Sequence, residues 1–79
     1  MKIKIYSTPS CLWCQAAKDF FKNHNIPFED IDVSQNEQAA QEMIEKSGQM
    51  GVPVIEIDDK IVKGFDKPSL IELLGIKEE

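Results

Sequence analysis

The stretch KIKIY, residues 2–6, alternates polar and apolar positions, with Ile3 and Ile5 on one face, and this period of two predicts a first strand. STPS, residues 7–10, is loop by composition. From Leu12 to about His24 the repeat changes. Trp13, Ala16, Ala17, Phe20 and Phe21 fall at helical spacing, with Lys18, Asp19 and Lys22 on the other side. Asn25 stands where a C-terminal cap is expected, and Pro27 closes the connection. A second strand is predicted over Phe28–Val33. Ser34 and Glu37 then read as a capping box opening a helix with Ala40, Met43 and Ile44 on one face and Gly48 at its end. PVIEI and KIVKG read as two strands joined by a tight turn at Asp58-Asp59. In DKPSLIELLG, Asp66 is the expected N-cap, Pro68 lies in the first turn and Gly75 caps the end, while Leu70, Ile71, Leu73 and Leu74 supply the buried stripe.

The predicted order is βαβαββα. Strands separated by a helix should run parallel with a right-handed crossover, and strands joined by a two-residue turn should run antiparallel. The expectation is an α/β fold with a mixed four-stranded sheet flanked by three helices. The chain's 79 residues fit one small domain over 1–79, with a thin core.

Charge narrows the function classes. The net charge is -5, from 14 acidic residues against nine lysines and no arginine. Such a chain is a poor partner for phosphate backbones, so no nucleic-acid role is expected. The N-terminus lacks a continuous apolar stretch of the signal-peptide kind, and no run approaches a membrane span. A cytoplasmic monomer with no membrane partner is the expectation, in a compartment where a disulfide is more often transient than structural.

That bears on Cys11 and Cys14, the two cysteines of the chain. A disulfide between them would close a loop too short to serve as a useful staple. A structural metal site needs about four ligands, and His24 is the one histidine available, so no metal is expected. Three residues apart, the sulfurs can come within disulfide reach. Cys11 sits at the start of the helix, where unpaired N–H groups and the helix dipole favour a negatively charged sulfur. Cys14 lies one turn inside. This reads as a nucleophile backed by a second thiol that can resolve a mixed disulfide. Trp13 between them reads either as an exposed aromatic platform or as core.

With CLWC after the first strand, GVPV before the third and KGFDK after the fourth, nearly the whole chain resembles the glutaredoxins and glutaredoxin-like redoxins of the thioredoxin superfamily. The resemblance implies a thioredoxin-like fold with strand order 2-1-3-4, Cys11 as nucleophile and Cys14 as resolving thiol. It also implies a cis bond at Val52-Pro53 facing them, with the Val52 backbone pairing to the substrate. The implied binding surface for substrate or glutathione comprises Thr8, Trp13, Gly51, Val52, Pro53, Gly64, Phe65 and Asp66. No bound organic cofactor is needed, since the electrons reside on the sulfurs; glutathione is the implied co-substrate.

The chain departs from the glutaredoxin pattern in several places. Leu12-Trp13 replaces the usual Pro-Tyr between the cysteines. Thr8, Gly51 and Lys63-Gly64 stand where glutathione-binding members carry a lysine, a threonine and a glycine pair. Asp66 keeps the acidic position that meets the glutathione amine. The GFD segment is similar to the Ser-Gly-Phe of NrdH-type redoxins, which donate electrons to ribonucleotide reductase and are reduced by thioredoxin reductase. The expected activity is therefore reduction of protein or glutathione mixed disulfides, with glutathione or thioredoxin reductase as electron source. An NrdH-like donor is one alternative, and a dimer holding an iron–sulfur cluster through Cys11 is another.

Overall fold

The computed structural model describes residues 2–76. Strand β1 (Ile3–Ser7) leads into helix α1 (Leu12–Asn23), then β2 (Glu29–Asp32), α2 (Glu37–Ser47), β3 (Val54–Ile57), β4 (Lys60–Lys63) and α3 (Lys67–Leu74). The sheet order is β2-β1-β3-β4. β1 pairs in parallel with β2 and antiparallel with β3, and β3 pairs antiparallel with β4. This is the thioredoxin-like architecture that the resemblance implied.

The period-two reading of β1 and β3 divides the core. Ile3, Ile5, Ile55 and Ile57 point to one face, where Ala17, Phe20 and Phe21 of α1 and Leu70 of α3 pack on them. Tyr6 and Val54 point to the other, under Ala39 and Met43 of α2. Phe21, Ile5 and Leu70 are fully buried, and each contributes about 1.5–3 kcal/mol by leaving water. α2 is further tied down by Lys46, whose Nζ lies 2.9 Å from the Glu56 carboxylate and 5.9 Å from the centre of the Tyr6 ring.

Element ends follow local chemistry. β1 runs one residue further than the alternation indicated, to Ser7, whose carbonyl accepts the Val33 N–H at 3.0 Å. β3 begins at Val54 rather than Pro53, because proline has no N–H to give to a ladder. α1 is capped by His24, with Asn25 taking the left-handed conformation just beyond (φ 57°). Asp66, Gly48 and Gly75 cap as expected, and Asp58-Asp59 makes the turn between β3 and β4.

The capping box at Ser34 is a correction. The Ser34 N–H and hydroxyl both donate to the Asp32 carboxylate, closing a turn off the end of β2. The helix starts later, and the Asn36 side chain accepts the Ala39 N–H at 3.1 Å. An Asp two residues back offered Ser34 a nearer partner than the helix did. Asn36→Ala should therefore destabilise the fold by about 1 kcal/mol in urea titrations, and Ser34→Ala by clearly less. Equal losses would return the cap to Ser34.

Candidate active site

The C-terminal end of β1 carries the chain into a short loop, and the loop delivers Cys11 to the N-cap of α1. Its backbone is extended (φ -87°, ψ 115°), so the side chain can turn back over the helix end. There Cys11 Sγ accepts the Cys14 N–H at 3.1 Å, taking the place of the usual cap oxygen. The same residue's N–H donates to the Thr8 carbonyl at 3.3 Å, and its carbonyl accepts from the Gln15 N–H. Cys11 is partly exposed, and Cys14 is wholly buried. Burial pushes the Cys14 thiol up, and its hydrogen bond with Cys11 and the Cys11 charge add to this. A backbone hydrogen bond from Thr8 and the Lys18 charge oppose it, and the net result is about 12. The two sulfurs thus meet solvent very differently although only one turn separates them.

Across from Cys11 lies the segment that precedes β3. The Val52-Pro53 bond is cis, and the Val52 carbonyl is 3.9 Å from Cys11 Sγ, the one acceptor toward which the thiol points. The Pro53 carbonyl accepts the Gly64 N–H at 2.8 Å, which brings the end of β4 alongside. Gly64 is left-handed (φ 75°), and no atom lies within 4 Å of where a Cβ would stand. Trp13 is two-thirds exposed and its ring sits 6.5 Å from that of Phe65. Trp13, Val52, Pro53, Gly64 and Phe65 together line a groove of about 230 Å³.

Five of the eight surface residues named from the sequence therefore come together in this groove beside Cys11. Thr8 meets the site through its backbone. Gly51 does not line the groove; its carbonyl accepts the Gln49 side-chain amide at 3.3 Å. Asp66 does not line this groove; it caps α3, its carboxylate accepting from the Ser69 hydroxyl at 2.9 Å, and it borders a separate groove with Lys63 and Glu72. Trp13 is an exposed platform rather than core.

By its spacing Lys18 belongs to the polar side of α1. Its Nζ is 2.9 Å from Asp30, and its side chain is 15% exposed. The other Asp30 oxygen accepts the hydroxyl of buried Ser7 at 2.8 Å. Partial burial works against ionisation of Asp30, but the hydrogen bonds from Lys18 and Ser7, with the charges of Lys18 and Lys22, outweigh it and hold the carboxyl below its ordinary range. The available signal was the i,i+4 spacing of Cys14 and Lys18. Among the described residues no group of three or more acidic, histidine or cysteine side chains is placed to hold a metal ion, and no helix is long and apolar enough to cross a membrane.

A partly exposed sulfur on a helix end, backed by a buried thiol one turn away, is an arrangement for exchanging electrons with a disulfide. The comparisons agree. Residues 3–62 match the glutaredoxin family. The chain is 46% identical over 72 residues to a glutaredoxin-like 8.6 kDa protein of the rubredoxin operon in Clostridium pasteurianum, covering 91% of this chain and 96% of that one. It is 31% identical over 73 residues to glutaredoxin 3 of Escherichia coli, covering 92% and 88%. The structure of the glutaredoxin-like protein NrdH-redoxin from Escherichia coli superposes with a TM-score of 0.82 at 31% identity, covering 99% of this chain and all of that one. Sequence match, fold and paired thiols lead to one conclusion: the chain belongs to the glutaredoxin family of thiol–disulfide oxidoreductases.

Proposed function

We propose that the protein reduces disulfides of protein substrates by a dithiol mechanism. The observation that carries this is the pairing of a partly exposed Cys11 at the α1 N-cap with a buried, protonated Cys14 one turn behind it. Cys11 attacks a substrate sulfur as thiolate, joining it in a mixed disulfide and releasing the other substrate sulfur as a thiol. Cys14 then gives up its proton and attacks Cys11. The Cys11–Cys14 bond forms, the mixed disulfide breaks, and the second substrate sulfur leaves and takes a proton. Two electrons pass from the dithiol to the substrate.

The Val52 backbone opposite Cys11 is suited to an extended substrate segment that pairs in the manner of an added strand. The adjoining groove, with Trp13 and Phe65 as walls, takes an apolar side chain of that segment.

A second reading concerns the electron source. Glutathione is the co-substrate the family resemblance implies, but the first turn of α3 has little to offer its carboxylates, since the Ser69 and Leu70 N–H groups already donate to Asp66 and Pro68 has none. Commitment of Asp66 to Ser69 leaves less of its carboxylate for the glutathione amine. This favours thioredoxin reductase as the faster donor, and with it an NrdH-like role toward ribonucleotide reductase.

Three outcomes check these assignments. Limiting iodoacetamide at neutral pH should label Cys11 alone. Alkylation needs the thiolate, and a thiol raised to about 12 stays protonated until the pH approaches that value. Preferential label on Cys14 would reverse the roles. Cys11→Ser should abolish disulfide exchange, whereas Cys14→Ser should accumulate a one-to-one substrate adduct visible by mass spectrometry; steady turnover by Cys11→Ser would sink the mechanism. For the donor, the oxidised protein should be reduced faster by NADPH with thioredoxin reductase than by glutathione with its own reductase. Asp66→Ala should leave the glutathione rate within about twofold, well under the tenfold that a lost 1.4 kcal/mol contact gives. A glutathione rate that is the faster of the two and collapses in Asp66→Ala would establish glutathione as the donor.

A further inference from the structure

The last chemical step belongs to Cys14, and only a thiolate attacks. Yet Cys14 is fully buried and holds its proton firmly in the reduced protein. Lys18 lies one turn beyond it on the same side of α1. Its ammonium does not trail into solvent: Asp30 on β2 holds it at 2.9 Å, and Ser7 on β1, 1% exposed, holds Asp30 at 2.8 Å. Two strands thus fix one positive charge against the flank of the helix that carries the resolving sulfur.

We propose that Lys18, seated by Asp30 and Ser7, is a positioning residue for the resolving step, its fixed ammonium stabilising the thiolate of Cys14 once Cys11 has entered a mixed disulfide. The inference rests on the dithiol reading above and adds a residue to it. Cys14 is acted on by Cys11 and Lys18 from its own helix and by the Thr8 backbone from the loop. Asp30 on β2 reaches it through Lys18, and Lys22, a further turn along α1, acts on Asp30. Cys11 holds the Cys14 proton in place in two ways, by hydrogen bond and by charge. Both vanish when the Cys11 sulfur is bonded to a substrate sulfur and carries no charge. Lys18 and Thr8, which pull the other way, remain. Attack on the substrate therefore removes what restrains Cys14 and leaves what activates it. Because the site is partly shielded from water, the remaining charge is weakly screened.

In the step itself the Cys14 S–H bond breaks and its sulfur bonds to Cys11. The Cys14 proton passes to solvent, the Cys11–substrate bond breaks, and the departing sulfur carries off the electron pair as a thiolate, which an alkyl thiol then protonates from solvent and an acidic aromatic thiol does not.

An aromatic disulfide that releases a coloured thiolate, 5,5'-dithiobis(2-nitrobenzoate), separates the two steps in a stopped-flow instrument. The first equivalent of coloured thiolate reports attack by Cys11 and the second reports resolution by Cys14. Lys18→Gln should slow the second release on the order of fivefold near neutral pH and move its pH midpoint upward, since thiolate falls tenfold per unit. The first release should stay within about twofold of the parent protein, which also shows that the variant is folded. Lys18→Arg should restore the second release. Lys22→Gln, with the same loss of charge on an exposed turn, should change neither. An unchanged second release and midpoint in Lys18→Gln, or equal slowing in Lys22→Gln, overturns the role of Lys18. If the parent protein, with one molar equivalent of reagent, stops after the first release and keeps the mixed disulfide on Cys11, the dithiol reading itself fails and Lys18 falls with it.

Discussion

Strand β1 is hydrogen-bonded along both edges and covered on both faces, and the rest of the molecule is arranged by that constraint. Its parallel pairing with β2 requires a crossover, which α1 provides. Its antiparallel pairing with β3 brings the Val52-Pro53 segment back to the end where β1 stops. Cys11 and Val52 are far apart in the chain and meet because both lie just beyond paired ends of neighbouring strands. Ile3 and Ile5 on one face and Tyr6 on the other fix the register, since a slip of one residue would turn the isoleucines toward α2.

This helps explain how much was legible in the sequence. Alternation at Lys2–Tyr6 and helical spacing from Trp13 to Phe21 are strong periodic signals, and turn residues such as Gly48 and Asp58-Asp59 punctuate them. The redox pair was legible because cysteine at a helix start has few other uses. The capping box was misread because two local partners compete for one group. Ser34 could cap a helix or close a turn with Asp32, and spacing alone does not rank the two. The Ser7–Asp30–Lys18 network was not legible, because it joins three elements and each member alone looks like an ordinary surface residue.

The same geometry separates the tasks of the two sulfurs. An exposed helix end supplies N–H groups without covering the sulfur they hold, so Cys11 stays reachable. One turn further, the helix presses against the sheet and the core closes over Cys14. A helical rise of about 1.5 Å per residue makes the distance between reach and burial roughly one turn, which is why two intervening residues suffice.

Gly64 forms part of the groove beside Cys11, and its left-handed backbone faces open space. Its glycine is required by conformation rather than by crowding. Asparagine visits that conformation at modest cost and β-branched residues do not. A short side chain at this position would therefore meet open space and leave the core untouched. The lining of the groove can thus change at this point without disturbing the strands or the two sulfurs.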